Sequence, residues 1–168
     1  MKGQSYPQVP GVAPSQSDPL PGAQYVRCVN KHSGPVNGLA GDATGSDVVI
    51  HDTTAANNVP GKPIPIKLTT TAGRLTLGVV AHWERSIPVN GECWVQIAGL
   101  HPGVKIDGTT DIVNGNNVGD HTVAGAGAVN SSVNSLGNYV DADYSDNAVA
   151  AKKVFLRNPM GVRASQVI

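Results

Sequence analysis

The chain has 168 residues, only 14% of them charged, and a formal net charge of zero. This length fits one domain with an appended arm, and the charge balance argues against electrostatic capture of nucleic acid, which needs clustered Lys and Arg to displace counterions from phosphates. So little charge also gives weak self-repulsion, which points to a surface built to be covered.

Residues 1–22, "MKGQSYPQVPGVAPSQSDPLPG", hold five prolines and two charged side chains. Proline fixes φ and removes backbone donors, so neither a helix nor a central strand is expected there. The composition predicts an extended, largely polyproline-like arm, which could reach about 70 Å if fully stretched. The interleaved apolar residues Tyr6, Val9, Val12 and Leu20 favour an arm that lies in a groove on a neighbouring protein over a purely disordered tail.

From Tyr25 onward the pattern changes to strand-like runs: "YVRCVN" (25–30), "SDVVIHD" (46–52), "IPIKLTTT" (64–71) and "RLTLGVVAHW" (74–83). Gly78 marks a bulge or a close backbone approach in the last of these. In "GECWVQIAG" (91–99), Cys93, Val95 and Ile97 fall on one face and Glu92, Trp94 and Gln96 on the other. A separate short strand, "GVKIDG" (103–108), is expected after a turn at "HPG" (101–103). "HTVAGAGAV" (121–129), "NYVDADY" (138–144) and "KKVFLRN" (152–158) complete the set.

Turn signals at 90–91, 101–103, 107–108 and 114–115 punctuate these runs, and such spacing predicts an all-β sandwich or barrel of short antiparallel strands over residues 23–168. The best helical stretch is "DNAVAAKKV" (146–154), worth one or two turns. The small-residue run "AGAGAVNSSVNSLGN" (124–138) reads either as a flexible loop or as a flat surface packed against a neighbour.

Aromatic residues are scarce, so the core must rest on Val, Ile, Leu and Ala, and part of the stability is expected from partner subunits. Cys28 and Cys93 make no disulfide framework and read as reduced, buried thiols. The N-terminal stretch is not a signal peptide and no segment approaches the roughly 20 apolar residues a bilayer span needs, so a soluble protein made in a cytoplasm, with no membrane partner, is expected.

Searching the chain for chemistry yields little. His82-Trp83-Glu84 matches the H-x-E of zinc deaminases, but the P-C-x-x-C that supplies the thiolates is missing. "DADYSD" (141–146) starts like a calcium loop, yet Asp146 stands where glycine is needed and Lys152 where glutamate is needed. The histidines His32, His51, His82, His101 and His121 are scattered singly, and nothing selects a carboxylate pair from Glu84, Glu92, Asp107 and Asp111. No cofactor, no metal and no catalytic residue is expected.

Residues 87–120, "IPVNGECWVQIAGLHPGVKIDGTTDIVNGNNVGD", combine an N-G turn, a W-V-Q strand, a glycine break, a V-K-I-D-G-T-T-D strand and turn, and a closing G-D. This stretch resembles the central signature of the capsid-decorating (cement) proteins of tailed phages, and "LGVVAHW" and "VFLRNPMG" do so more loosely. The resemblance implies a non-enzymatic β-fold that binds the outside of an icosahedral shell of major capsid protein and self-associates around a two- or three-fold axis. It implies nothing for residues 1–22, which have no counterpart in the pattern.

On that reading the arm (Tyr6, Pro7, Val9, Pro10, Val12, Leu20) and the ending "NPMGVRASQVI" (Met160, Val162) are the candidate shell contacts. Trp94 is expected to be a packing anchor. A competing expectation is a virion β-domain that binds host-surface glycan, for which exposed aromatic faces would be needed.

Overall fold

The structure is a computed structural model that describes residues 22–54, 59, 62–68, 71, 74–129 and 135–161. The arm residues Tyr6, Pro7, Val9, Pro10, Val12 and Leu20, and Val162 in the ending, lie outside the described residues. Among the described residues every regular element is a strand, as the turn spacing predicts. In chain order these are β1 (Gln24–Asn30), β2 (Val36–Asn37), β3 (Val48–His51), β4 (Ile64–Lys67), β5 (Thr76–Val80) and β6 (Ser86–Ile87). There follow β7 (Glu92–Asp107), β8 (Asn117–Asp120), β9 (Gly127–Val129), β10 (Gly137–Tyr139) and β11 (Val149–Arg157).

Strands β1, β4, β3, β5 and β7 pair in that order, and β7 pairs back onto β1, so the sheet closes into a five-stranded barrel. A ring with an odd number of strands cannot alternate direction all the way round, so one neighbouring pair must be parallel; here it is β1–β4. A second circuit runs β7, β11, β10, β8, β9 and returns to β7 through one parallel pair, Ile106 and Gly127. The same parity rule is met once more. Strand β7 therefore belongs to both rings, its first half pairing with β1 and β5 and its second with β11 and β9.

Each ring has its own core. Val26, Cys28, Val49, Ile66, Leu77, Cys93, Val95 and Ile97 fill the first, and Val36 and Ile87 of the small β2–β6 ribbon pack into it as well. Val104, Ile106, Ile112, Val118, Leu136, Tyr139, Val154 and Leu156 fill the second, joined by Val48 and Val79 from β3 and β5. Full burial of each such side chain contributes roughly 1.5–3 kcal/mol. Trp94 is 4% exposed against Tyr25, Ala81 and Trp83, in the anchoring role expected of it.

Two expectations are corrected. Residues 91–108 are one strand of 16 residues and not two short strands about a turn at His101–Gly103. The reason is a bulge: opposite β7, Lys152 pairs with Val104 and Val154 with His101, so Pro102 and Gly103 together face Lys153. A bulge leaves a residue without a ladder bond, which is where a strand tolerates proline. The extra residue also moves the core-facing positions of β7 from odd (Cys93, Val95, Ile97) to even (Val104, Ile106). The second correction concerns 146–154, which supply strand β11 and not a helix. In β11, Val154 and Leu156 are buried while Lys153, Phe155 and Arg157 are exposed, an alternation of two.

Gly78 is a close approach, as expected: a Cβ there would collide with the Gln96 carbonyl of β7. Within the small-residue run, Gly125 to Ala128 are buried, and β9 lies against Ile106 and Val118. This part of the run packs inside its own chain.

Candidate partner-binding site

The two ends of the described chain meet at the midpoint of β7. Ala98 pairs with Gln24 of β1 on one side and with Arg157 of β11 on the other. Gly22 sits over Gly99, so close that a Cβ on Gly22 would lie 3.6 Å from the Gly99 Cα and 4.0 Å from the Phe155 ring. Asn158 donates its N–H to the Ile97 carbonyl at 2.7 Å, and Gly161 closes the following turn onto Asn158 at 2.9 Å. Gly99 makes this crossing possible: its φ is +85°, and a side chain there would run into the backbone of Gly22 and Ala23. Gly22 and Asn158 thus meet in one neighbourhood, the seam between the rings.

The outer face beside this seam presents Lys153, Phe155 and Arg157 of β11, with Phe155 43% exposed. Leu100 and Asn138 are its cross-strand neighbours. Lys152 turns the other way and lies over the Tyr144 ring at 4.3 Å. Met160, the one candidate contact within the described residues, is half-buried against the core of the first ring.

Met160 also lines a cavity of about 380 Å³ between β3, β4 and the chain before β5. Ile50, Leu68 and Leu75 share its apolar side, and Lys67 and Arg74 supply positive charge. Lys67 Nζ is 3.1 Å from Asp52 Oδ1, a carboxylate buried behind it. The Arg74 backbone N–H is held by Asp120 Oδ2 at 3.2 Å. Sequence reasoning does not find this cavity, because its walls come from segments that carry no shared motif.

Several of the residues with chemical potential take part in structural contacts. Asp107 accepts from the backbone and hydroxyl of Thr109 and meets His121 Nδ1 at 3.1 Å. Glu84 accepts the Trp94 N–H at 2.8 Å, and burial raises its pKa. Glu92 pairs with Arg27 on the surface. His82 packs edge-on against Trp83 and His101 rather than beside a thiolate. Asp141 accepts N–H bonds from Ala142 and Lys153, and Asp143 accepts one from Asn114. Among the described residues no three His, Cys, Asp or Glu side chains converge as a metal site.

Three buried polar groups brace β7. His101 donates from Nε2 to the Val80 carbonyl at 3.0 Å and accepts the Gly103 N–H on Nδ1 at 3.1 Å, an arrangement that fixes the neutral ring. Burial drives its pKa down to about 3. Lys105 Nζ lies 2.6 Å from Asp47 and 2.9 Å from Asp42. Burial alone would lower the Lys105 pKa and raise that of Asp42, but hydrogen bonds outweigh it: those to Asp47 and then Asp42 hold Lys105 above its ordinary value, and those from Lys105 and then Thr44 hold Asp42 down at about 2. Cys28 and Cys93 sit opposite each other on β1 and β7, both buried and free, and burial pushes both thiols up. Protonated thiols of this kind are poor nucleophiles.

No protein-family model matches the chain, and no curated protein matches it in sequence. Among solved structures it is similar to the head fiber gp8.5 N base of bacteriophage phi29, with 12% identity and a TM-score of 0.48 over 80% of this chain and 95% of that one. At that level the likeness carries no argument about function.

Proposed function

We propose that the chain is a non-enzymatic structural protein of a tailed-phage virion. It binds the outer surface of the icosahedral shell, bridges neighbouring capsomers and associates with itself around a two- or three-fold axis. The observation that supports this reading is the meeting of Gly22 and Asn158 over Ile97–Gly99 of β7, beside the exposed Phe155. A closed β-body with an arm joined at that seam would be suited to reach a neighbouring subunit. Residues 87–120, the stretch that resembles cement proteins, include the central strand β7 of that body.

Closed rings also remove most free strand edges, so the body itself offers little for unspecific strand pairing. Binding to the assembled shell alone stabilises that state by mass action, and many modest equivalent contacts add through avidity. The protein would then oppose the outward pressure of packaged genome without touching it. A glycan-binding role would have the exposed ring of Phe155 to use but neither tryptophan in full, because Trp94 is buried and Trp83 half-buried in the cluster with Tyr25.

The test is co-sedimentation with expanded, undecorated capsids of the full-length protein and of a form lacking residues 1–21, which keeps Gly22 on Gly99. Saturable binding that weakens in the truncation is expected. Binding by neither form, together with specific binding on a glycan array, would replace this reading with the glycan one.

A further inference from the structure

The lining of the cavity beside Met160 combines three kinds of side chain. Ile50, Leu68, Leu75 and Met160 are aliphatic, Lys67 and Arg74 are cationic, and His51, Thr53 and Thr71 add neutral hydrogen-bonding groups. No carboxylate lines it among the described residues. Asp52 engages Lys67 from behind at 3.1 Å and leaves two of the three ammonium N–H groups for another acceptor. Arg74 is anchored through its backbone to Asp120, so its exposed guanidinium is positioned without being neutralised by that bond.

We infer that this cavity binds an acidic, aliphatic peptide segment of a partner protein. An Asp or Glu carboxylate lies on Arg74 and Lys67, and an adjacent branched side chain packs on Leu68, Leu75 and Met160. Arg offers a planar fork that matches a carboxylate, and the flexible thioether of Met adapts to the shape of an apolar side chain. The one ring in the cavity lining among the described residues is the His51 imidazole, and no Trp, Tyr or Phe offers a sugar a broad stacking face. The volume, about 380 Å³, falls at the small end of the range for ligand sites and suits a pair of side chains rather than a folded element. The inference rests on the shell-binding reading only for the identity of the partner, a subunit with an acidic surface segment.

The experiment titrates the full-length protein against a fluorescein-labelled, end-blocked Leu-Asp-Leu-Glu-Val peptide, its Leu-Lys-Leu-Lys-Val counterpart and a glucuronate-containing oligosaccharide. Saturable binding of the acidic peptide alone is expected, weaker at about 0.5 M than at about 0.05 M NaCl because the contact is between charges. Arg74→Glu lowers the affinity about tenfold or more, Arg74→Lys retains most of it, and Arg85→Glu, the same charge change at an exposed position just before β6 and outside the cavity lining, leaves it unchanged. Arg74 is exposed, so thermal melting of its variants should match the parent.

Equal binding of the lysine peptide, an Arg74→Glu variant that binds normally, or binding of the oligosaccharide in place of the peptide would overturn the inference. Peptide binding without co-sedimentation on capsids would leave the cavity site standing and reject the shell-binding reading instead.

Discussion

Single residues carry unusual weight where the two rings cross. Gly99 combines a φ of +85° with the backbone of Gly22 and Ala23 packed over its α-carbon. Alanine there must accept both a strained backbone and a clash with main chain that cannot rotate away. Gly99→Ala is expected to cost about 2–4 kcal/mol, read as a lower urea midpoint at unchanged m. A loss below about 0.5 kcal/mol would mean the crossing is looser than this packing requires.

His101 makes a second prediction, in pH. Its folded pKa of about 3 lies below the ordinary 6.5, so between those values the unfolded chain binds a proton that the folded one refuses. The stability held by the neutral ring is fully present above pH 6.5 and is lost as pH falls toward 3, at up to about 1.4 kcal/mol per pH unit. His101→Gln keeps a donor for Val80 and an acceptor for the Gly103 N–H. Its melting temperature should fall less steeply over that pH window, and parallel curves for the two proteins would remove the explanation.

At the scale of elements, β11 separates what periodicity can reveal from what it cannot. The run "VAAKKVFLR" begins with small residues compatible with a helix, and its last five residues, within the stretch 152–158 that reads as a strand, alternate between exposed and buried. Its identity as a strand is decided by long-range partners on β7 and β10, which no local window contains. Leu156→Ala is expected to cost about 2–5 kcal/mol, whereas Phe155→Ala should cost under about 1 kcal/mol, because one side chain fills the second core and the other faces out. Comparable losses at both positions would contradict the alternation.

Strand β7 shows the same limit differently. "HPG" carries every local mark of a turn, and its residues become a bulge only because β11 runs past them. The all-β class, the inward face of Cys93, Val95 and Ile97, the turn at Asn90–Gly91 and the close approach at Gly78 are legible in local pattern. Ring closure and the cavity beside Met160 are not, since both depend on segments far apart in the chain meeting in space.

At the scale of the whole molecule, the question is whether two cores make two folding units. Each ring closes separately, which alone would allow one to melt before the other. Two features join them. Strand β7 supplies ladder bonds to both, and Val48 and Val79 leave the strands of the first ring to pack into the second core. Opening the second ring would therefore expose Val48 and Val79 and strip one side of β7, a penalty felt in the first ring as well. The expectation is one cooperative transition. Tryptophan fluorescence reports the first ring through Trp83 and Trp94, and hydrogen exchange of Val154 and Leu156 amides reports the second. The two should give coincident denaturant midpoints, and the slowest amides of β1 and β11 should open with the same free energy. If β11 exchanged through a lower-energy opening while the fluorescence stayed native, the second ring would be a separable unit. In that case the seam at Ala98–Gly99, where Gly22 and Asn158 meet β7, would be a hinge between two bodies and not the brace that a shell-bridging protein requires.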